Sequence, residues 1–498
     1  MDDHFQGTKT MKLNNANLPN LPEGILRPTY DRSALRAGIV HIGLGNFHRG
    51  HQAWYLHRLM QQGLAHDWAI IGAGVRPGDE AMRLKLQDQD YMSTLIELDP
   101  AGSSAEVIGS MIDFVPVVDG HTALIEAMSD PAIRIVALTV TEGGYYQDAE
   151  GGFDQDHPDI QHDASHPDQP RTAFGAMLSA LRTRRAAGHL PFAGQSCDNL
   201  QNNGDVLCQT LVGLARMCDP ELADWVDAEM SFPNSMVDCI VPATGPAELA
   251  LVAKWGIDDA APVTHENFRQ WVIEDAFGNG RPPWEEVGAT LTHDVHAYES
   301  MKIRMLNAGH QVLANVGELR GIKTIAGCMA NDQIAQFFRK VQTDCIVPHV
   351  DAVPGMTGAD YLDLIEGRFA NPEIHDTTRR VSFDGSSRHP GFVLPILRDA
   401  LATGTVIDGL ALVEALWARM CEGTREDGSL IEANDPNWDA LTIAATAART
   451  KPAAWLEQEG IYAELNDAPE FAAAFERWLD LIWREGSTVA LDRYLAQA

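Results

Sequence analysis

Gly38-Ile-Val-His-Ile-Gly43-Leu-Gly45-Asn-Phe-His-Arg49 is the stretch whose reading decides the fold. The apolar run to Ile42 reads as a buried strand and the two glycines as a tight turn. His51 to Gln62, with Ala53, Trp54, Leu56 and Leu59 at helical spacing, reads as the helix that follows. Two further apolar runs, Trp68 to Val75 and Ile133 to Val140, read as parallel partners of the first strand. Strand, glycine turn, helix and strand are the parts of a doubly wound, Rossmann-like α/β domain.

The turn has a chemistry of its own. Glycine lets a backbone approach a pyrophosphate, and a helix start points unpaired N–H groups at an anion. Gly43, Gly45, Asn46, Phe47 and Arg49 are therefore the candidate cofactor-binding residues, with Arg49 offering a charge to the phosphates. The third glycine of the usual fingerprint is replaced by His48, and a purely structural strand-to-helix turn is the alternative reading. After the second strand, Asp79 reads as a ribose acceptor, which favours NAD. The neighbouring Arg76 reads as a 2′-phosphate ligand, which leaves NADP open.

Bulk properties narrow the class. A chain of 498 residues calls for two or more domains. The split is expected at residues 1–295, a dinucleotide-binding domain with an N-terminal arm, and 296–498, a mainly helical substrate domain. A formal net charge of −33 argues against nucleic acid or an anionic membrane as partner. Seven scattered cysteines without a C-x-x-C pair point to reduced thiols and no metal site. Met1-Asp-Asp-His-Phe-Gln lacks a basic start with an apolar run, and no stretch approaches membrane-spanning length. A cytoplasmic protein, monomeric or weakly oligomeric, is expected. Residues 151–170, rich in Asp, His, Gln and Pro, read as a solvated loop, as do 351–357, 375–390 and 422–439.

Chemistry concentrates in Lys302-Ile-Arg-Met-Leu-Asn307-Ala-Gly-His310. At about 100° per residue, Asn307 lies roughly 140° and His310 roughly 80° from Lys302 around a helix axis, so all three line one wall. A lysine partly stripped of water can take a proton, an amide can hold an oxygen gaining charge, and an imidazole can orient a hydroxyl. Asn199, just past the strand-like run ending at Ser196, is a second oxygen-holding candidate, with an Asx turn as its alternative. Asp238 reads as a proton acceptor, a substrate ligand or a salt-bridge member. Arg379 and Arg380 read as ligands for hydroxyls or a carboxylate, or as surface charge.

Together these blocks resemble the polyol-specific long-chain dehydrogenases and reductases. The resemblance is carried by His41–His51, Thr139-Val-Thr-Glu-Gly-Gly-Tyr145, Ser196-Cys-Asp-Asn-Leu200, Phe232–Asp238 and Trp271–Asp275. Gly280–Trp284, Tyr298–His310 and Arg368–Pro372 complete it. It implies a Rossmann-like domain followed by a helical one, and metal-free hydride transfer between NAD(H) and an open-chain polyol or ketose. Mannitol, arabinitol and sorbitol are the expected polyols. By the same resemblance Lys302 is the general base, Asn199 and Asn307 hold the reacting oxygen, and His310 orients a neighbouring hydroxyl. Asp238 and Arg380 are substrate contacts, and Glu299 assists proton passage to Lys302. There are three departures from the family pattern: Gly309 replaces a usual Ser, Cys239 a usual Arg, and the stretch Gln311–Gly317 stands where relatives often have small or aromatic residues. A hexuronate reductase of the same family and a non-catalytic nucleotide-binding sensor are the competing functions.

Overall fold

The computed structural model describes residues 10–148 and 151–497. The first six residues, which argued against a signal peptide, lie outside them. The chain forms two compact units, Met1–His296 and Ala297–Ala498.

The first unit is built on five parallel strands: β1 (Ala37–Ile42), β2 (Ala69–Ala73), β3 (Met111–Phe114), β4 (Ile135–Leu138) and β5 (Ala193–Ser196). Their order is β3-β2-β1-β4-β5, so the direction of winding reverses between β1 and β4, where a doubly wound sheet opens its ligand crevice. Both faces are covered, which is why β1 reads as a nearly unbroken apolar run. Val40 and Ile42 face a cluster with Phe174, Met177, Leu207 and Leu211, while Ile39 faces Tyr55, Leu56, Trp68 and Trp271.

The N-terminal arm lies on this unit. Met11–Lys12 pairs in parallel with Ile257–Asp258, and Leu13, Leu21 and Ile25 are buried. The turn after β1 leads into α1 (Asn46–Gly50) and α2 (Gln52–Gln61), which are separated by a kink at His51.

The stretch 151–170, read as a loop, contains a helix at Pro158–Ser165. Ile160 anchors it in the core. The buried Asp163 accepts from the backbone N–H groups of Arg171 and Thr172 and from the Thr172 hydroxyl. Two apolar residues in eight, Ile160 and Ala164, are too few to establish a period, so the pattern misses it.

The second unit is helical. It opens in α3 (His296–Met301), runs through a π turn at Lys302–Asn307 and continues as α4 (Ala308–Leu319). Every residue of α4 except His310 is buried, so it is the central helix of the unit and not an amphipathic surface helix. The α5 helix (Asp332–Val341) leads into a second π turn, Gln342–Ile346. The stretch 375–390, also read as a loop, is mostly helical. It holds α6 (Thr378–Ser382), capped by Thr377, a single turn at Gly385–Arg388 and the start of a third π turn at His389–Val393. Turns of four or five residues fall below the window in which helical periodicity can be recognised. The α7 helix (Asp408–Cys421) and the long C-terminal segment α8 (Pro469–Leu495), bent at Gly486, pack against one another. No helix among the described residues is long and apolar enough to cross a membrane.

Candidate active site

In the first unit the glycine turn sits at the winding reversal. Gly43 has φ +90° and donates its N–H to Ala73 O, while its carbonyl accepts the Thr139 hydroxyl at 2.6 Å. A side chain at Gly43 would place Cβ 2.2 Å from Thr139 O. At Gly45, by contrast, a Cβ would meet nothing nearer than Gly43 O at 4.0 Å, so the space above the turn is open. That combination of a pinned first glycine and an open second one fits a pyrophosphate approaching the backbone.

His48 explains the missing third glycine. Its ring stacks on His41 at 3.4 Å between centroids, and His41 Nε2 meets the Thr139 hydroxyl at 2.8 Å. Both imidazoles are fully buried. Loss of hydration pushes His41 down to about 3 and His48 well below the ordinary range, so both stay neutral.

Two expectations at this turn are corrected. Arg49 does not present its charge to the turn. Its guanidinium is buried and donates to Ala261 O, the Ser93 hydroxyl and Asn46 Oδ1. The Asn46 side chain likewise faces inward, its amide donating to Pro242 O and the Thr244 hydroxyl. These two side chains fix the turn to a segment about two hundred residues away. Phe47 stacks on His51 at 5.0 Å. Beyond β2, Asp79 Oδ2 accepts the N–H groups of Val75 and Arg76, so one carboxylate oxygen braces the loop, while the Arg76 side chain is exposed.

Near the ends of β4 and β5 the buried Asp198 ties the segment after β4 to the end of β5. Asp198 accepts from Val140 N, Thr141 N and the Tyr145 hydroxyl, and burial still raises its carboxyl pKa. Asn199 follows it and is exposed. Asp238 is buried at the end of the strand Ser235–Asp238, paired with Gln270.

In the second unit the π turn changes the expected geometry. The N–H of Ala308 reaches back five residues to Ile303 O. In such a turn residue i+5 stands little more than one turn above residue i. Lys302 and Asn307 therefore share a face, where an unbroken α-helix would have splayed them by roughly 140°. Lys302 is 8% exposed, and Glu299, one turn earlier, is also buried.

His310 stacks on Phe369 at 4.4 Å, and its Nε2 lies 3.7 Å from Asp376 Oδ2, too far for a hydrogen bond. Asp376 is the residue that sequence reading missed, because it lies in a stretch read as loop. It receives Arg380 in a two-pronged contact, Nε to Oδ1 and Nη2 to Oδ2, both 2.7 Å. Arg380 thus sits on α6, exposed and already paired, and Arg379 beside it donates to Glu432 O and Ala433 O.

Burial pushes His310 down to about 4, against the upward pull of Asp376 and assisted by Arg380, Arg368 and Arg388. A histidine whose folded pKa lies below its ordinary 6.5 contributes stability above 6.5 and loses it as pH falls toward 4. Across about pH 5 to 8 it remains neutral, so the pH dependence of turnover in that window is expected to survive His310→Asn. Proton uptake on unfolding near pH 5 should fall by about one in the same variant, as potentiometry or calorimetry would register.

Among the described residues no group of three or more His, Cys, Asp or Glu is placed to hold a metal ion.

Both units match known proteins. Residues 37–286 match the model of the mannitol dehydrogenase Rossmann domain, and 294–483 that of the mannitol dehydrogenase C-terminal domain. The chain is 56% identical to mannitol 2-dehydrogenase of Cereibacter sphaeroides over 476 residues, 96% of this chain and 100% of the relative. It superposes on the Pseudomonas fluorescens mannitol 2-dehydrogenase ternary complex with NAD and D-mannitol with a TM-score of 0.86 and 41% identity. That match covers 98% of this chain and all of the other. A substrate-free D-sorbitol dehydrogenase matches with a TM-score of 0.90 at 33% identity, over 97% of this chain and all of that one. The chain belongs to the mannitol dehydrogenase family.

Proposed function

We propose that this protein is an NAD-dependent polyol dehydrogenase that oxidises a secondary hydroxyl of an open-chain polyol, mannitol foremost, to the ketose. The observation that carries the reading is the π turn, which gives Lys302 and Asn307 a common face in a chain 56% identical to a mannitol 2-dehydrogenase.

The dinucleotide is held at Gly43 and Gly45, with the backbone of Asn46 and Phe47 at the helix start and Asp79 toward the ribose. When bound it supplies the hydride acceptor. Lys302, with its amine unprotonated, takes the hydroxyl proton as the carbon loses hydride. The Asn307 amide donates to the same oxygen, and Asn199 is assigned the second amide by its match to the family motif. His310, neutral and with Nε2 turned toward Asp376, orients an adjacent hydroxyl. Glu299 passes the proton from Lys302 onward, and Asp238 is a further substrate contact.

Arg380 favours a polyol over a sugar acid. Two of its donor positions are already on Asp376, and a substrate carboxylate would have to compete with that pairing. Asp376→Asn is expected to raise KM for the polyol roughly tenfold, because Arg380 loses the carboxylate that holds it in two places, with a smaller effect on kcat. An unchanged KM would show that Asp376 plays no part in substrate positioning.

The reduced-nicotinamide absorbance band tests the function directly. NAD and NADP are each offered with mannitol, arabinitol and sorbitol, and the reduced cofactors with fructose and fructuronate. Reduction of NAD by mannitol is the expected result. Activity confined to fructuronate would overturn the polyol assignment, and silence on every pair would favour a binding protein.

A further inference from the structure

We propose that Gln342 is a positioning residue that holds the Lys302–Asn307 turn in its π form. The inference rests on the reading of Lys302 as base and Asn307 as oxygen holder.

Gln342 is fully buried at the junction of α5 and the second π turn. Its Nε2 donates to Met305 O at 2.7 Å. Met305 lies inside the first π turn, and the Ala308 N–H that reaches Ile303 O also touches Met305 O. The glutamine amide therefore lands where the π register gives way to the α register of α4. A side-chain donor inserted there is one of the few devices that keep an extra residue in a helix. Without it, relaxation to an unbroken α-helix would swing Asn307 away from Lys302.

Gly309 completes the device. A Cβ there would lie 2.6 Å from Gln342 Nε2 and 3.0 Å from Phe338 Cε2. The missing side chain at Gly309 leaves the space into which the amide fits. Glycine at 309 and glutamine at 342 thus act as a pair, and α5 brings to the turn a contact that no spacing around Lys302 reveals.

Four variants test this. Gln342→Leu keeps most of the volume and removes the donor. It is expected to lower kcat for mannitol oxidation roughly 10- to 100-fold with KM for NAD nearly unchanged, and to shift the acid limb of the kcat–pH profile. Gly309→Ala, which pushes the amide off Met305 O, is expected to show a similar loss. Combining Gly309→Ala with Gln342→Ala, which opens the space, should be little worse than Gln342→Ala alone. Amide hydrogen exchange supplies a readout independent of turnover: in Gln342→Leu, residues 303–310 should exchange faster while Asp408–Cys421 does not.

Wild-type kcat and pH profile in a folded Gln342→Leu protein, or strictly multiplicative losses in the double variant, would overturn the proposal. So would faster exchange throughout the unit, which would mark general loosening. Should the wild-type protein fail to oxidise any polyol, the functional reading falls. The local exchange contrast then still decides whether Gln342 holds the turn.

Discussion

Replacing Lys302 with alanine is expected to lower kcat for polyol oxidation by roughly 10²- to 10⁴-fold, the range for loss of a positioned general base. The dissociation constant for NAD should change little, since a general base acts on the hydroxyl proton and not on the dinucleotide. KM for the polyol should move less than kcat, because proton transfer belongs to the chemical step. Steady-state kinetics with fluorescence titration of the reduced cofactor separates these quantities. Parallel loss of cofactor binding and turnover would make Lys302 a structural residue. Partial recovery by small primary amines, supplied as free base, would strengthen the assignment as base.

Gly43→Ala is expected to be the most damaging single-methyl change in the first unit. The residue sits at φ +90°, where a side chain costs about 1–2 kcal/mol on conformational grounds alone. The larger penalty is steric. The added Cβ would stand 2.2 Å from the carbonyl oxygen of Thr139, which is backbone and cannot rotate away. Either the link between β1 and β4 opens or the turn shifts, and both outcomes damage the surface on which a pyrophosphate would rest. A drop in melting temperature together with at least tenfold weaker NAD binding is expected. Gly45→Ala is the informative control. It faces open space, so stability should hold while cofactor affinity falls. A Gly43→Ala protein with normal melting and normal affinity would refute the assignment of this turn.

The parts of the fold legible in sequence were those set by short-range pattern. The buried β1 run, the glycine turn and the alternation of strands with helices follow from residues near one another in the chain. What escaped was set at long range or by an irregular helix. Arg49 reads as a phosphate ligand because its neighbours look like a nucleotide turn, but its acceptor is a carbonyl 212 residues on. The π turn is invisible to a 3.6-residue period because α4, buried at every position but His310, has no polar stripe against which the shift of one residue could be read. Asp376 lies in short turns without periodicity, and nothing local announces that His310 and Arg380 will meet it. The Lys302, Asn307 and His310 set was visible as residue types in order. The rotation that gives the first two a common face was not.

The tie between the glycine turn and the segment Pro242–Ala261 bears on how the chain is made. Asn46 and Arg49 cannot satisfy their side chains until Pro242, Thr244 and Ala261 exist, and Ser93–Leu98 lacks its parallel neighbour until Val263–Glu266 has been synthesised. Roughly two hundred residues separate the first element from the last, which at ribosomal speed is on the order of ten to forty seconds. Throughout that interval the nascent unit carries a buried-type arginine without its acceptor and, in a separate three-stranded sheet, a strand edge without its cover. The nucleotide-binding unit is thus completed by its own C-terminal end, and a ribosome stalled before that point would hold an apolar, unfinished sheet in need of a chaperone.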